Sequence, residues 1–161
     1  MRTIWVIALL AAAACGGDGT GPSPAFPAVA GTYNVTGYFD GIPSDAAFFN
    51  GTLAVTQVSR QEAALGGTMA VTVNLQGDVF NIGGALQGAN VSPSGQLTFT
   101  IGDPSGTWTF SAQVQGTALA QGRHTLSDGQ ESLSGAWSGS RATGTAARSA
   151  ATNRIGALFR D

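Results

Sequence analysis

Thr68-Met69-Ala70-Val71-Thr72-Val73-Asn74-Leu75 is the stretch that decides the fold class. Met69, Val71, Val73 and Leu75 alternate with Thr68, Ala70, Thr72 and Asn74, a period of two that a helix cannot sort onto one face. It reads as a half-buried strand whose outer face is polar, and its Val and Thr residues suit a pleated surface. The same alternation recurs in both directions. Tyr33, Val35 and Phe39 alternate with Thr32, Asn34, Thr36 and Tyr38; Phe49, Leu53 and Val55 alternate with Asn50, Thr52, Ala54 and Thr56. Downstream, Leu97, Phe99 and Ile101, then Trp108, Phe110, Ala112 and Val114, continue the pattern.

Turn chemistry separates these runs. Gln76-Gly77-Asp78, Ser92-Pro93-Ser94-Gly95, Asp103-Pro104-Ser105-Gly106, Gln115-Gly116 and Ser127-Asp128-Gly129-Gln130 are turn clusters. Short links between successive strands favour an antiparallel up-and-down meander of about eight to nine strands. No long helical pattern is present to cover a sheet face, so the expected fold is all-β, a closed or nearly closed barrel over 31–161. Gly135 and Gly139 share a face with Trp137, and Gly83-Gly84 and Gly88 punctuate another strand; small residues alternating with large ones fit a tapering interior. Near the C-terminus two readings stay open: 143–147 as a closing strand, or a helical spacing of Ile155, Leu158 and Phe159 interrupted by Gly156. Alternation alone does not say which face points inward. An outer-membrane barrel with apolar residues outside is disfavoured by the scarcity of charges to knit a polar interior and by strands without aromatic ends.

Composition sets further limits. The chain has 161 residues, a length that suits one domain plus an export segment and linker. Charged residues are 10% of it, against about 25% in an average soluble domain. There is no lysine; every basic residue is Arg, and the net charge is −2. That balance offers no basic face for nucleic acid and no polybasic membrane patch. Hydrophobic residues are 43%, enough to build a core, and the single cysteine precludes an internal disulfide.

The N-terminus has a different character. Met1-Arg2-Thr3 is a short basic start, and 4–14 (IWVIALLAAAA) is an apolar run ending at Cys15. This is the layout of a signal peptide over 1–14, too short to span a bilayer as a helix. Ala12-Ala13-Ala14-Cys15 resembles the bacterial lipobox, although Ala12 stands where leucine is usual. The resemblance implies a lipoprotein whose Cys15 carries diacylglycerol and palmitate-type chains, the anchor to the membrane; two or three acyl chains hold stably. Ordinary cleavage after Ala14, which would leave a soluble secreted protein with a free Cys15, is the competing reading. In such lipoproteins an Asp after the cysteine retains the protein at the inner membrane, so Gly16 implies the outer membrane, facing the periplasm or the exterior. The stretch from Cys15 through 16–30 (GGDGTGPSPAFPAVA) is rich in Gly and Pro and reads as a linker.

Chemistry-bearing residues are few. His124 is the only histidine, and Glu62 and Glu131 are the only glutamates. Proximity of His124 to Asp128 and several serines invites a Ser-His-Asp hydrolase reading, but triads are defined by geometry, and Ser127-Asp128-Gly129 reads first as a hairpin turn. No spacing of His, Cys, Asp and Glu suggests a metal or cofactor site. Gly31-Thr32-Tyr33 and Gly106-Thr107-Trp108 resemble the Gly-x-aromatic openings of strands in lipocalins and avidins. That resemblance implies a ligand-holding barrel, with Tyr33, Trp108, Phe110 and Trp137 as the expected cavity lining. The functional expectation is a non-catalytic, lipid-anchored envelope protein that binds a small apolar ligand or a protein partner. An envelope assembly factor or inhibitor is the alternative, and a hydrolase using His124 the weakest reading.

Overall fold

A computed structural model describes residues 25–143. The expected signal peptide, Cys15, the linker up to residue 24 and the closing strand or helix of 144–161 lie outside the described residues. Nine antiparallel strands form one curled sheet: β1 Gly31–Phe39, β2 Ala47–Thr56, β3 Gly66–Leu75, β4 Asp78–Ala85, β5 Gln87–Val91, β6 Gln96–Asp103, β7 Gly106–Gln115, β8 Ala118–Ser127 and β9 Ser132–Arg141. The spatial order is β4-β3-β2-β1-β9-β8-β7-β6-β5. Every neighbouring pair is consecutive in sequence except β1 and β9, which bring the two ends of the meander together.

Parity explains how nine strands close this way. Nine alternating strands would leave β1 and β9 parallel, yet they pair antiparallel, from Tyr33↔Arg141 to Phe39↔Gly135. One connection must therefore continue without reversing, and it lies at Leu86. β4 and β5 are successive pieces of one bent strand, with Gly88 at φ +56° just past the bend. The piece before the bend pairs with β3, from Leu75↔Asp78 to Thr68↔Ala85. The piece after it pairs with β6, from Gln87↔Thr100 to Val91↔Leu97. On its other side β5 touches the run before β3 through the Ala64↔Asn90 bridge and the bond from Val91 N to Ala63 O at 2.9 Å. Among the described residues the wall is nearly closed, parted between β4 and the far end of β6.

The alternation read from the sequence sets the faces. Tyr33, Val35, Phe39, Phe49, Leu53, Met69, Val71, Val73, Leu97, Phe99, Ile101, Trp108 and Phe110 are all buried in one core. Thr and Ser residues of the same strands point outward, so the outer face of the barrel is polar rather than an apolar band.

Residues 25–30, read from the sequence as the end of the linker, lie against the barrel. Val29 is fully buried and Phe26 packs on the core. Gln57 holds this strap through its side-chain bonds to Val29 N at 3.1 Å and Pro27 O at 3.2 Å. Arg60 adds a reciprocal pair with Phe26, Nε donating to its carbonyl at 2.9 Å and the Arg60 carbonyl accepting from its N–H at 3.0 Å. Nearly all Gly and Pro of the linker reading precede this strap; its apolar Phe26 and Val29 are what the core recruits.

Candidate functional site

One continuous group of rings occupies the core where β7, β8 and β9 face β1 and β2. Phe99 stacks on Phe110 with centroids 4.9 Å apart, and Phe110 lies 4.9 Å from Trp108. Phe49 meets Trp108 edge-on at 4.9 Å, and Trp137 meets Phe110 edge-on at 5.5 Å. Offset and edge-to-face arrangements at these separations are the favoured ones for aromatic pairs, worth about 0.5–1.5 kcal/mol each beyond area burial. Phe39 and His124 complete the group at 5.0 Å from each other.

His124 is 2% exposed, and both ring nitrogens are engaged. The Trp108 indole N–H donates to His124 Nδ1 at 3.1 Å. Nδ1 is therefore the acceptor, which leaves the proton on Nε2, donating to the Tyr38 carbonyl at 3.0 Å. Burial holds the His124 pKa below the ordinary imidazole value, opposed by the Tyr38 carbonyl and the Asp40 charge and aided by Arg123. The bond crosses β9 at Gly135, where an added Cβ would come within 1.8 Å of the Tyr38 oxygen and 2.6 Å of His124 Nε2. Only glycine leaves room for it.

Trp137 repeats the device one strand over. Its ring lies across Gly122 of β8, where a Cβ would meet the indole at 2.6 Å. From there its N–H donates to the carbonyls of Ser111, at 2.9 Å, and Arg123, at 3.1 Å. The register slips beside these positions: β8 carries one extra residue against both β7 and β9, and Gln121 takes φ +53°. This bulge interrupts the β7–β8 ladder and leaves carbonyls for the indole to bond.

The structure thus brings Trp108, Phe110 and Trp137 into one group, with Phe110 in contact with both tryptophans. Tyr33 it places at the other end of the barrel, opposite Arg141. There its hydroxyl donates to the Val29 carbonyl at 2.9 Å, and the Arg141 guanidinium sits 5.7 Å from the ring centroid. The triad partners suggested by sequence proximity are elsewhere. Ser127 Oγ bonds the Glu131 carbonyl at 2.9 Å, and Asp128 Oδ1 accepts from the N–H groups of Gln130 and Glu131 at 2.8 Å each. Those backbone donors hold the Asp128 carboxyl below its usual range, as expected for an Asx turn. Among the described residues no three His, Cys, Asp or Glu side chains gather as metal ligands would.

Phe49, Phe39 and the glycines beneath the rings are what the sequence reading missed as partners. The signal available was the run Gly135-Ala136-Trp137-Ser138-Gly139, which announces small residues beside a large one; it does not say that the indole rests on Gly122 of the next strand. Comparison with protein-family models, with curated proteins and with solved structures gives no match for the chain.

Proposed function

We propose that this chain is a lipid-anchored envelope protein acting as a non-catalytic binding module, and that it engages a protein partner through its outer surface and loops. The observation that carries this reading is the ring-filled interior. Trp108 and Trp137, expected with Phe110 to line a ligand cavity, both pack on Phe110, and the three rings also meet Phe49, Phe99 and His124. His124 has both nitrogens committed inside the core, which supports a structural role over a catalytic one. The anchor rests on Ala12-Ala13-Ala14-Cys15 and the apolar run before it.

Two measurements test the two halves of this proposal. Globomycin treatment, or Cys15→Ser, is expected to shift the protein from the membrane to the soluble or unprocessed fraction; unchanged membrane retention and processing would overturn the anchor. Titration with N-phenyl-1-naphthylamine, an apolar fluorophore, is expected to give no saturable signal. Saturable binding that a Phe110→Leu variant weakens would replace the partner reading with a carrier of small apolar ligands.

A further inference from the structure

β4 is the part of the barrel wall whose outer edge hydrogen-bonds to no other strand among the described residues, although it approaches β6 near the bend. β6 runs on through Ile101, Gly102 and Asp103 past Thr100, where its pairing with β5 stops. β4 and the end of β6 therefore border a wedge that opens from Leu86 toward Asp78 and Asp103. Apolar groups stand at it. Val79 is 59% exposed, and Phe80, which shares the inward face of Val73 by register, is only half-buried. A bare edge with apolar side chains is the feature that natural sheets cover, charge or shorten.

The chain carries a segment suited to it. Ala142 N donates to the Thr32 carbonyl at 2.8 Å, which fixes where the chain leaves β9, at the Tyr33 end of the barrel. From there 144–151 (GTAARSAA) is built mostly of Ala and Gly, and 154–160 (RIGALFR) places Ile155, Leu158 and Phe159 between Arg154 and Arg160. Extended, 144–161 spans up to about 60 Å. A ten-residue strand is about 33 Å long and three strand spacings add about 15 Å, so the wedge is within reach. Of the two carboxylates that border it, Asp103 accepts from Ser105, and Asp78 is exposed and complements the arginines.

We propose that 154–160 docks along the β4–β6 wedge of its own barrel, with Ile155, Leu158 and Phe159 covering Val79 and Phe80 and the arginines set toward Asp78. The segment then covers the edge of β4 that pairs with no strand among the described residues. This inference is independent of the lipid anchor and of the binding role proposed above.

Hydrogen exchange of the full chain against a chain ending at Thr143 is the first test. Loss of the segment is expected to speed exchange about tenfold at 78–84 while leaving β1, β8 and β9 unchanged. In the Cys15→Ser full chain, Val79→Cys with Phe159→Cys is expected to form an intramolecular disulfide under mild oxidation, and Thr52→Cys with Phe159→Cys is not. Unchanged exchange at 78–84, a uniform rise over all strands, or equal cross-linking at both sites would overturn the proposal. So would protection of β4 that grows with protein concentration, which would assign the edge to a second copy of the chain.

Discussion

Two walls of this barrel solve the same closure problem differently. On one, β7, β8, β9 and β1 run in unbroken antiparallel register apart from a single extra residue in β8, and side chains reach across whole strands to bond backbone carbonyls. On the other, β4 and β5 bend apart from a common strand and leave an edge without a described partner. The first wall is bound by groups that tolerate almost no change of shape. The second has room at Gly84, where an added Cβ would meet nothing within 4 Å. Curvature in the first wall is locked by aromatic rings laid on glycines; in the second it is obtained by releasing a strand pairing. Rigidity and adaptability are thus separated on opposite sides of one small sheet.

The largest expected effect breaks that contrast at a single methyl group. Gly135→Ala places a Cβ at 1.8 Å from the Tyr38 oxygen, against backbone that cannot swing aside. A loss of about 3–5 kcal/mol is expected, within the range of severe core strain. Gly84→Ala on the other wall meets nothing within 4 Å. It is expected to be neutral or to stabilise by up to about 1 kcal/mol by restricting the unfolded chain. Urea midpoints of the two variants check both; equal losses would show that the walls are equally constrained.

A smaller effect is expected at Trp137. Trp137→Phe keeps the ring on Gly122 but removes the N–H that serves the carbonyls of Ser111 and Arg123. Leaving part-buried acceptors unpaired, together with the lost ring volume, is expected to cost about 2–3 kcal/mol. Hydrogen exchange should rise first at the β7–β8 bulge. A variant as stable as the parent would reduce the indole to packing alone.

Much of this architecture is legible in the sequence, and the illegible parts share a cause. The alternation of β1, β3, β6 and β7 is local, so the buried faces follow from reading two residues at a time. The two places where the wall bends also leave a trace, because a straight strand cannot put residues of opposite parity on one face. Leu119 and Leu126 are both buried although their spacing is odd, and so are Ile82 and Ala89. An extra residue lies between each pair, at the bulge in β8 and at the bend between β4 and β5. Partners are another matter. Trp108 reaches His124 only because β7 and β8 are in a particular register, and Tyr38 lies far away in the chain. Tyr33 shares with Trp108 a strand opening of Gly-Thr-aromatic, which groups the two by pattern; register, not composition, sends Tyr33 to the far end. Because the rings fill the inside, the alternating Thr and Ser residues are left to face out.

The mildest way to probe the rigid wall is to protonate it. His124 is held neutral by burial, with its folded pKa below that of the unfolded chain, near 6.5. In the unfolded chain the imidazole takes up a proton as pH falls through about 6.5, while the folded protein resists it, so stability falls as pH is lowered through that range and is fully present above it. The geometry sharpens the same sign. A proton on Nδ1 would face the Trp108 indole N–H, donor against donor, and would need either the ring or the indole to move. Urea midpoints are therefore expected to be level from pH 8 to pH 7 and to fall toward pH 5, a window distinct from the lower one in which Asp128 gains its proton. His124→Gln, whose amide oxygen can still accept from Trp108, is expected to lower the midpoint at pH 8 but to abolish the slope between pH 7 and 5. A slope that survives in the variant would place the titrating group elsewhere. Exposed Arg123 and Asp40 form an ion pair beside the ring at 2.5 Å and bias its titration in opposite senses. Breaking that pair with Asp40→Asn removes the carboxylate that favours the imidazolium, so the fall in stability should steepen rather than vanish.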